Sequence, residues 1–416
     1  MRGLYLKLPK FLRSIIAYIY YNFYFVGWLR SCVRYFRVYL LHQRNRKVIK
    51  ELRMIIALAK QNNQPIFVQF PVIPWDLPLF QRPQQFAKAM SEIGYLTIYL
   101  LPLMQKPCPI KQISNNLFIT DQFEILSYLE NAIVSVYLNY PAGYLDKYLT
   151  QQFFDKNKVF YEYVDHIDEN IWGIYFSRIL KKRFELIKIQ HFNLIIGTSR
   201  VLYEELLEYH SEKKVMCLPN AVDVSHYNLL QKSNNKPYNL PNRLKEAIAR
   251  GQKIIGYFGA IAPWIWNELI IELAEKRPNY FILMIGPDYG KALPFPEKEN
   301  LYFTGPVNYN DLPFYAHNFD VSIIPFRLGD IAKATSPLKL FEYFAIGKPI
   351  VVTSDLIECT QFDGVASAST IQEFIEKVDE AVELGCNEEL RKKYLQYAHD
   401  NSWTTRAKEL SKFFNI

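Results

Sequence analysis

From about residue 65 onward, apolar runs of strand length alternate with helical segments. The runs at 66–70, 97–101, 134–138, 159–163, 194–198 and 215–218 read as strands, with helices starting near Arg82, Ala142, Ile174 and Ser199. This βαβα alternation predicts parallel sheets covered by helices. It stops near Asp223, where the run 231–237 (QKSNNKP) is polar and aperiodic, as in a linker or surface loop. A second series runs from Lys253 to about Thr370. Two helices follow, over about 371–384 and 388–399, the latter with Asn387 as N-cap, and Trp403 precedes a last helix over about 405–414. Two facing doubly wound domains would place strand C-termini and helix N-termini around one cleft, where ligands bind.

The stretch 335–352 (TSPLKLFEYFAIGKPIVV) reads as a helix with both ends marked, then a buried strand. Ser336 suits the N-cap, Pro337 the first helical position, Gly347 a left-handed C′, and Pro349 blocks continuation. Ser336, Lys339 and Glu342 or Tyr343 share one face. A cation, a carboxylate and a positive helix end pointing one way suit a nucleoside diphosphate. The helix end and Lys339 would meet the phosphates and Glu342 the ribose hydroxyls. Alone, the same pattern fits an amphipathic helix with a surface Lys–Glu pair.

At 416 residues, half of them hydrophobic and 22% charged, the chain is globular and long enough for two cores. The net charge of +8 is unevenly placed. Residues 1–60 hold 13 Lys or Arg and one acid, Glu51, which leaves about −4 on the other 356. The basicity therefore belongs to a leader, which weakens a nucleic-acid reading. Residues 14–29 are uncharged, aromatic and flanked by Arg13 and Arg30. They fall short of the roughly twenty apolar residues of a spanning helix. Arg34, Arg37, Arg44 and Arg46 follow where a signal peptide would have a small-residue cleavage site. The expectation is a leader lying on anionic lipid at the cytosolic membrane face, with a span or a helix packed on the body as the other readings. Cys32, Cys108, Cys217, Cys359 and Cys386 lack metal-like spacing and suggest reduced thiols.

Several segments resemble GT-B glycosyltransferases, specifically the GT4-like group of teichuronic-acid and exopolysaccharide sugar transferases. The 335–352 stretch is similar to that group's signature, and the likeness runs from about Pro65 to the C-terminus. Residues 256–261 (GYFGAI) resemble the opening strand and glycine turn of the donor domain; 281–287, 301–307, 311–313 and 320–326 resemble the elements after it. In the first half, 81–85 (QRPQQ) and 218–223 (LPNAVD) also match.

The resemblance implies an α/β protein of GT-B fold, two facing Rossmann-like domains behind a membrane-associating helical leader. The expected divisions are 1–60 leader, 61–225 acceptor domain, 226–251 linker, 252–402 nucleotide-sugar domain and 403–416 terminal helix crossing back to the first domain. It further implies a metal-independent hexosyltransferase with no cofactor beyond a UDP- or GDP-linked co-substrate. Diphosphate would be neutralised by basic side chains and helix dipoles, and the chain contains no Asp-x-Asp to hold a metal. Donor-site candidates are Gly259, Arg327, Lys333, Thr335, Ser336, Lys339 and Glu342. Asp76 and Arg82 are acceptor-side candidates, Arg82 for a phosphate of either substrate. Asp165 and His166, within 162–168 after a strand end, are catalytic candidates: either as the base an inverting reaction needs, or His166 as a hydrogen-bond donor to the sugar in a retaining one. Asn220 and Asp223 are expected to shape the interdomain turn.

The chain departs from the family pattern twice. Many relatives carry two glutamates eight positions apart, and the first falls at Ala334. Where many have an Arg and a Lys after the glycine turn, this chain has 262–267 (APWIWN), so that Trp264 and Trp266 are either pocket wall or core. The expected acceptor is a lipid-linked or growing envelope polysaccharide at the inner membrane face, without nucleic acid. The rivals are a UDP-sugar epimerase-like GT-B enzyme and a degenerate sugar-nucleotide-binding scaffold.

Overall fold

The computed structural model describes residues 45–102, 108–137, 145–167, 180–181, 184, 192–228, 240–289, 296, 298–385 and 387–415. The uncharged segment 14–29, the helix starts expected at Ala142 and Ile174, Asp168 and the polar run 231–237 lie outside these residues.

The first domain is built on an eight-stranded sheet. Its strands are β1 (Ile66–Gln69), β2 (Leu96–Leu100), β3 (Lys111–Ser114), β4 (Leu117–Thr120), β5 (Ile133–Tyr137), β6 (Lys158–Tyr163), β7 (Leu194–Gly197) and β8 (Val215–Cys217). They lie in the order β3-β4-β2-β1-β5-β6-β7-β8. All neighbours are parallel except the hairpin β3–β4. That hairpin went unread in the sequence because β3 (KQIS) is a polar, mostly exposed edge strand without an apolar run.

The second domain carries six parallel strands. They are β9 (Lys253–Phe258), β10 (Tyr280–Ile285), β11 (Leu301–Phe303), β12 (Val321–Ile324), β13 (Ile350–Thr353) and β14 (Ala366–Ala368), in the order β11-β10-β9-β12-β13-β14. Chain direction across this sheet reverses between β9 and β12, a topological switch point where the strand ends leave a crevice. The equivalent point of the first sheet lies between β1 and β5.

Two boundaries move from where the sequence set them. The helix Arg46–Gln61 buries Leu52, Ile56 and Ala59 in the same core as Val68, Ile98 and Val134. The first folded body therefore begins by residue 46, not 61. The helix Asn242–Ala249 buries Leu244 and Ala247 against the second domain's core, so it belongs to that domain rather than to a linker. Among the described residues no helix is long and apolar enough to cross a membrane.

The terminal helix Trp403–Phe413 crosses back. Trp403, Ala407, Leu410 and Phe414 pack with Phe67 and Phe86 of the first domain. The two crossings of the chain run side by side, with Val222 N–H donating to Asn401 O and Trp403 N–H to Val222 O, both at 3.1 Å. These crossings bring the C-terminal ends of both sheets to opposite walls of one cleft.

Candidate active site

At the switch point of the second sheet, β9 is followed by Gly259 and β10 by Gly286, with φ of +142° and +143°. A Cβ at Gly286 would stand 1.8 Å from Gly259 O, and one at Gly259 would stand 2.8 Å from Lys339 Cε. Both conformations suit glycine, and the bare backbone lets the helix Leu338–Ile346 bring Lys339 against the turn. Gly347 ends that helix in the left-handed region, as the sequence predicts. Its start differs: the helix begins at Leu338, with Pro337 as N-cap and no side-chain cap bond. Ser336 is not the cap, because its hydroxyl is taken by Asn220 N–H at 3.2 Å.

The helix faces a cavity of about 310 Å³ between the domains. Gly259, Thr335, Ser336, Lys339 and Glu342 line it from the second domain, and Arg82, Asp165 and Asn220 from the first. The Lys339 ammonium lies 4.8 Å from the Phe326 ring centre and 5.3 Å from that of Tyr257. Desolvation pushes its pKa down to about 8, opposed by Glu342. Glu342 is buried and accepts the Tyr227 hydroxyl at 2.8 Å. Desolvation pushes its carboxyl up to about 8 against the opposing effects of that bond and of Lys339. Burial thus disfavours the charged form of both groups, and their proximity opposes that effect in each. Tyr343, the other residue proposed for this face, is fully buried, and its hydroxyl bridges Phe258 N and Ile323 O.

Across the cavity Arg82 is also buried; its Nε donates to Glu162 Oε2 at 2.6 Å. Asp165, just past β6, is one of the residues lining the cavity, and desolvation raises its pKa to about 6. His166 is not among the lining residues; its Nδ1 lies 3.6 Å from Glu205 Oε2. Asp76 lines a neighbouring hollow of about 710 Å³ behind the stacked rings of Phe80 and Tyr309.

Two donor-site expectations are corrected in place. Arg327 does not line the cavity: it is exposed and donates to Glu268 Oε1 and Oε2 at 3.1 and 2.7 Å. Lys333 is also exposed and outside the lining, with Asp330 at 3.7 Å. Ala334, where the resemblance led to the expectation of a glutamate, is 2% exposed and packs into the first domain's core, so a carboxylate there would be buried away from the cavity. Trp264 walls the cavity while Trp266 packs beside the second core. The sequence reading missed Tyr227, Tyr257 and Phe326. An aromatic at the end of an apolar run looks like core until a facing helix puts a cation over it. Among the described residues no group of three His, Cys, Asp or Glu side chains is gathered as metal ligands.

No protein-family model matches the chain. A Bacillus subtilis protein, TuaH, named for an assigned role as a teichuronic acid biosynthesis glycosyltransferase, is 30% identical over 190 residues, 43% of this chain; the match spans 45% of that protein. Sucrose-phosphate synthase from Thermosynechococcus elongatus superposes over 85% of this chain and 98% of its own, with TM-score 0.61 and 12% identity. An α,α-trehalose-phosphate synthase (UDP-forming) from Burkholderia vietnamiensis covers 85% and 97%, with TM-score 0.62 and 10% identity. The E. coli trehalose-6-phosphate synthase bound with UDP-2-fluoro glucose covers 85% and 99%, with TM-score 0.59 and 11% identity. The fold is GT-B. A GT-B cleft lies between two Rossmann-like domains, and the cavity holding Lys339, Glu342 and Asp165 occupies that position here.

Proposed function

We propose that this chain is a glycosyltransferase that moves a sugar from a UDP- or GDP-linked donor to a lipid-linked or polysaccharide acceptor in envelope polysaccharide assembly, without a metal. The observation that carries the reading is the pairing, on one helix face inside the interdomain cavity, of a desolvated ammonium with a desolvated carboxyl. The ammonium has no carboxylate within 4.0 Å among the described residues, and a diphosphate would supply the missing counter-charge. The Glu342 carboxyl, already held by Tyr227, would meet ribose hydroxyls one turn further on. The name of the B. subtilis relative supports an envelope polysaccharide as product, and the UDP-sugar bound to the E. coli neighbour supports the donor class.

In this mechanism the acceptor hydroxyl gives its proton to Asp165 as its oxygen bonds the anomeric carbon. The bond from that carbon to the diphosphate breaks, and the electron pair leaves with the diphosphate, whose charge is met by Lys339 and the start of the 338–346 helix. A carboxyl with a pKa of about 6 is mostly ionised at neutral pH yet remains a competent proton acceptor. The membrane partner is supported by the outward face of the helix Arg46–Gln61. Met54 and Leu58 are each 58% exposed there, beside exposed Lys47 and Lys50, directly after a basic leader.

Incubation with a panel of UDP- and GDP-sugars tests the activity. Slow release of free nucleotide diphosphate is expected. An epimerised sugar nucleotide would establish the epimerase reading instead, and intact donor that is nevertheless bound would establish the scaffold.

A further inference from the structure

We propose that Asn220, a first-domain residue, is a positioning residue for the diphosphate end of the cleft, acting through Ser336 on the helix that carries Lys339; this rests on the donor-site reading above. The segment 334–336 leads into that helix, and first-domain groups hold both its ends. Asn220 Nδ2 donates to Ser336 O at 2.6 Å and its backbone N–H to Ser336 Oγ at 3.2 Å. Ser199 Oγ donates to Ala334 O at 2.7 Å while also capping its own helix by accepting Leu202 N–H at 3.3 Å. Thr335, between the two clamped residues, faces the cavity. Pro337, which follows, has no N–H to anchor the segment from within the helix.

Behind Asn220 stands a rigid support. Its Oδ1 accepts Arg82 Nη1 at 3.4 Å, and the same nitrogen donates to Pro219 O at 3.1 Å. Arg82 is ion-paired to Glu162, which also accepts Ser135 Oγ at 2.7 Å. Arg82, Glu162, Asn220 and Ser336 are all buried, where a hydrogen-bond network fixes geometry most strongly. The Asn220 amide serves both sides at once, its oxygen accepting from the guanidinium and its nitrogen donating to the carbonyl. The network thus makes the diphosphate site a product of both domains: the cation sits correctly only when the first domain grips the segment before its helix.

The test is calorimetric titration of the full chain with UDP, for the wild type and for Asn220→Asp, Asn220→Ala, Lys339→Ala and the Asn220→Ala/Lys339→Ala double variant. Asn220→Asp retains the oxygen that Arg82 reaches but loses the donor to Ser336 O. Both single substitutions at 220 are expected to weaken UDP binding about tenfold, the worth of one good buried hydrogen bond. In the Lys339→Ala background the loss should shrink to under about twofold, because Asn220 acts through that helix. Equal losses in both backgrounds would mean that Asn220 touches the nucleotide itself, and no loss would mean that the clamp is only structural; either result overturns the proposal. Hydrogen exchange of nucleotide-free protein decides independently of binding. Amides 338–342 should exchange faster in Asn220→Asp, and unchanged rates refute the clamp even if wild type binds no nucleotide, an outcome that would separately refute the donor site.

Discussion

Replacing Lys339 with Met should move stability and binding in opposite directions. In the folded, nucleotide-free protein the ammonium is desolvated enough to lower its pKa from 10.5 to about 8. That fall corresponds to roughly 3 kcal/mol of destabilisation at neutral pH. The faces of Phe326 and Tyr257 return about 1–2 kcal/mol of it as cation–π attraction. Met fills the same space without a charge, so Lys339→Met should gain about 1–2 kcal/mol at pH 7, a few degrees in Tm for a domain of this size. The sign follows from linkage. A lysine whose folded pKa is depressed opposes folding at pH values below the folded pKa, and the penalty is relieved as pH rises from about 8 toward 10.5. The advantage of the Met variant should therefore shrink between pH 8 and 10. UDP binding should weaken about 10- to 100-fold, the loss of a charge-assisted contact worth roughly 1.5–3 kcal/mol. Differential scanning fluorimetry across pH, with calorimetry at pH 7, reads both. A lower Tm at pH 7 together with unchanged UDP affinity would make Lys339 an ordinary structural residue and refute the reasoning.

UDP affinity of the wild type should fall as pH rises through about 8, because Lys339 loses the charge that attracts the diphosphate while Glu342 gains one that repels it; a flat profile from pH 7 to 9.5 would contradict the assignment. Asp165→Asn should reduce turnover by about 10²–10⁴-fold with little change in donor KM, and wild-type turnover should decline below about pH 6 as Asp165 takes up its proton. Sedimentation with phosphatidylcholine vesicles containing phosphatidylglycerol should show Lys47→Glu/Lys50→Glu partitioning at least about 30-fold less than wild type, since each basic residue near an anionic surface contributes about 1 kcal/mol. UDP affinity should be untouched by that pair.

Much of the second domain was legible because its strands are continuous apolar runs and its site helix carries both end signals, Pro337–Gly347, in sequence. Lys339 and Glu342 stood out as two charges on a helix otherwise apolar enough to be buried. The roles of Arg327 and Lys333 were not legible. The first is drawn to Glu268, 59 positions earlier, and a pairing at that separation has no local signature. Asn220 read as a turn residue because its partners, Arg82 and Ser336, lie 138 and 116 positions away. Ala334 read as a lost sugar contact, whereas packing turns its methyl into the other domain's core. The helix Arg46–Gln61 merged with the leader because its apolar stripe is interrupted by five basic residues, which face away from the core. Local pattern thus located the helix that lines the cleft, while side chains recruited across the domain seam emerged only from the fold.

Calorimetric titration of UDP and GDP into the wild type and Glu342→Ala is the most direct measurement. Saturable binding of one nucleotide by the wild type, weakened at least about tenfold in a variant that remains folded at the assay temperature, is the predicted result. Equal affinity in both proteins, or no binding of either nucleotide by the wild type, would contradict a sugar-nucleotide site at the 338–346 helix.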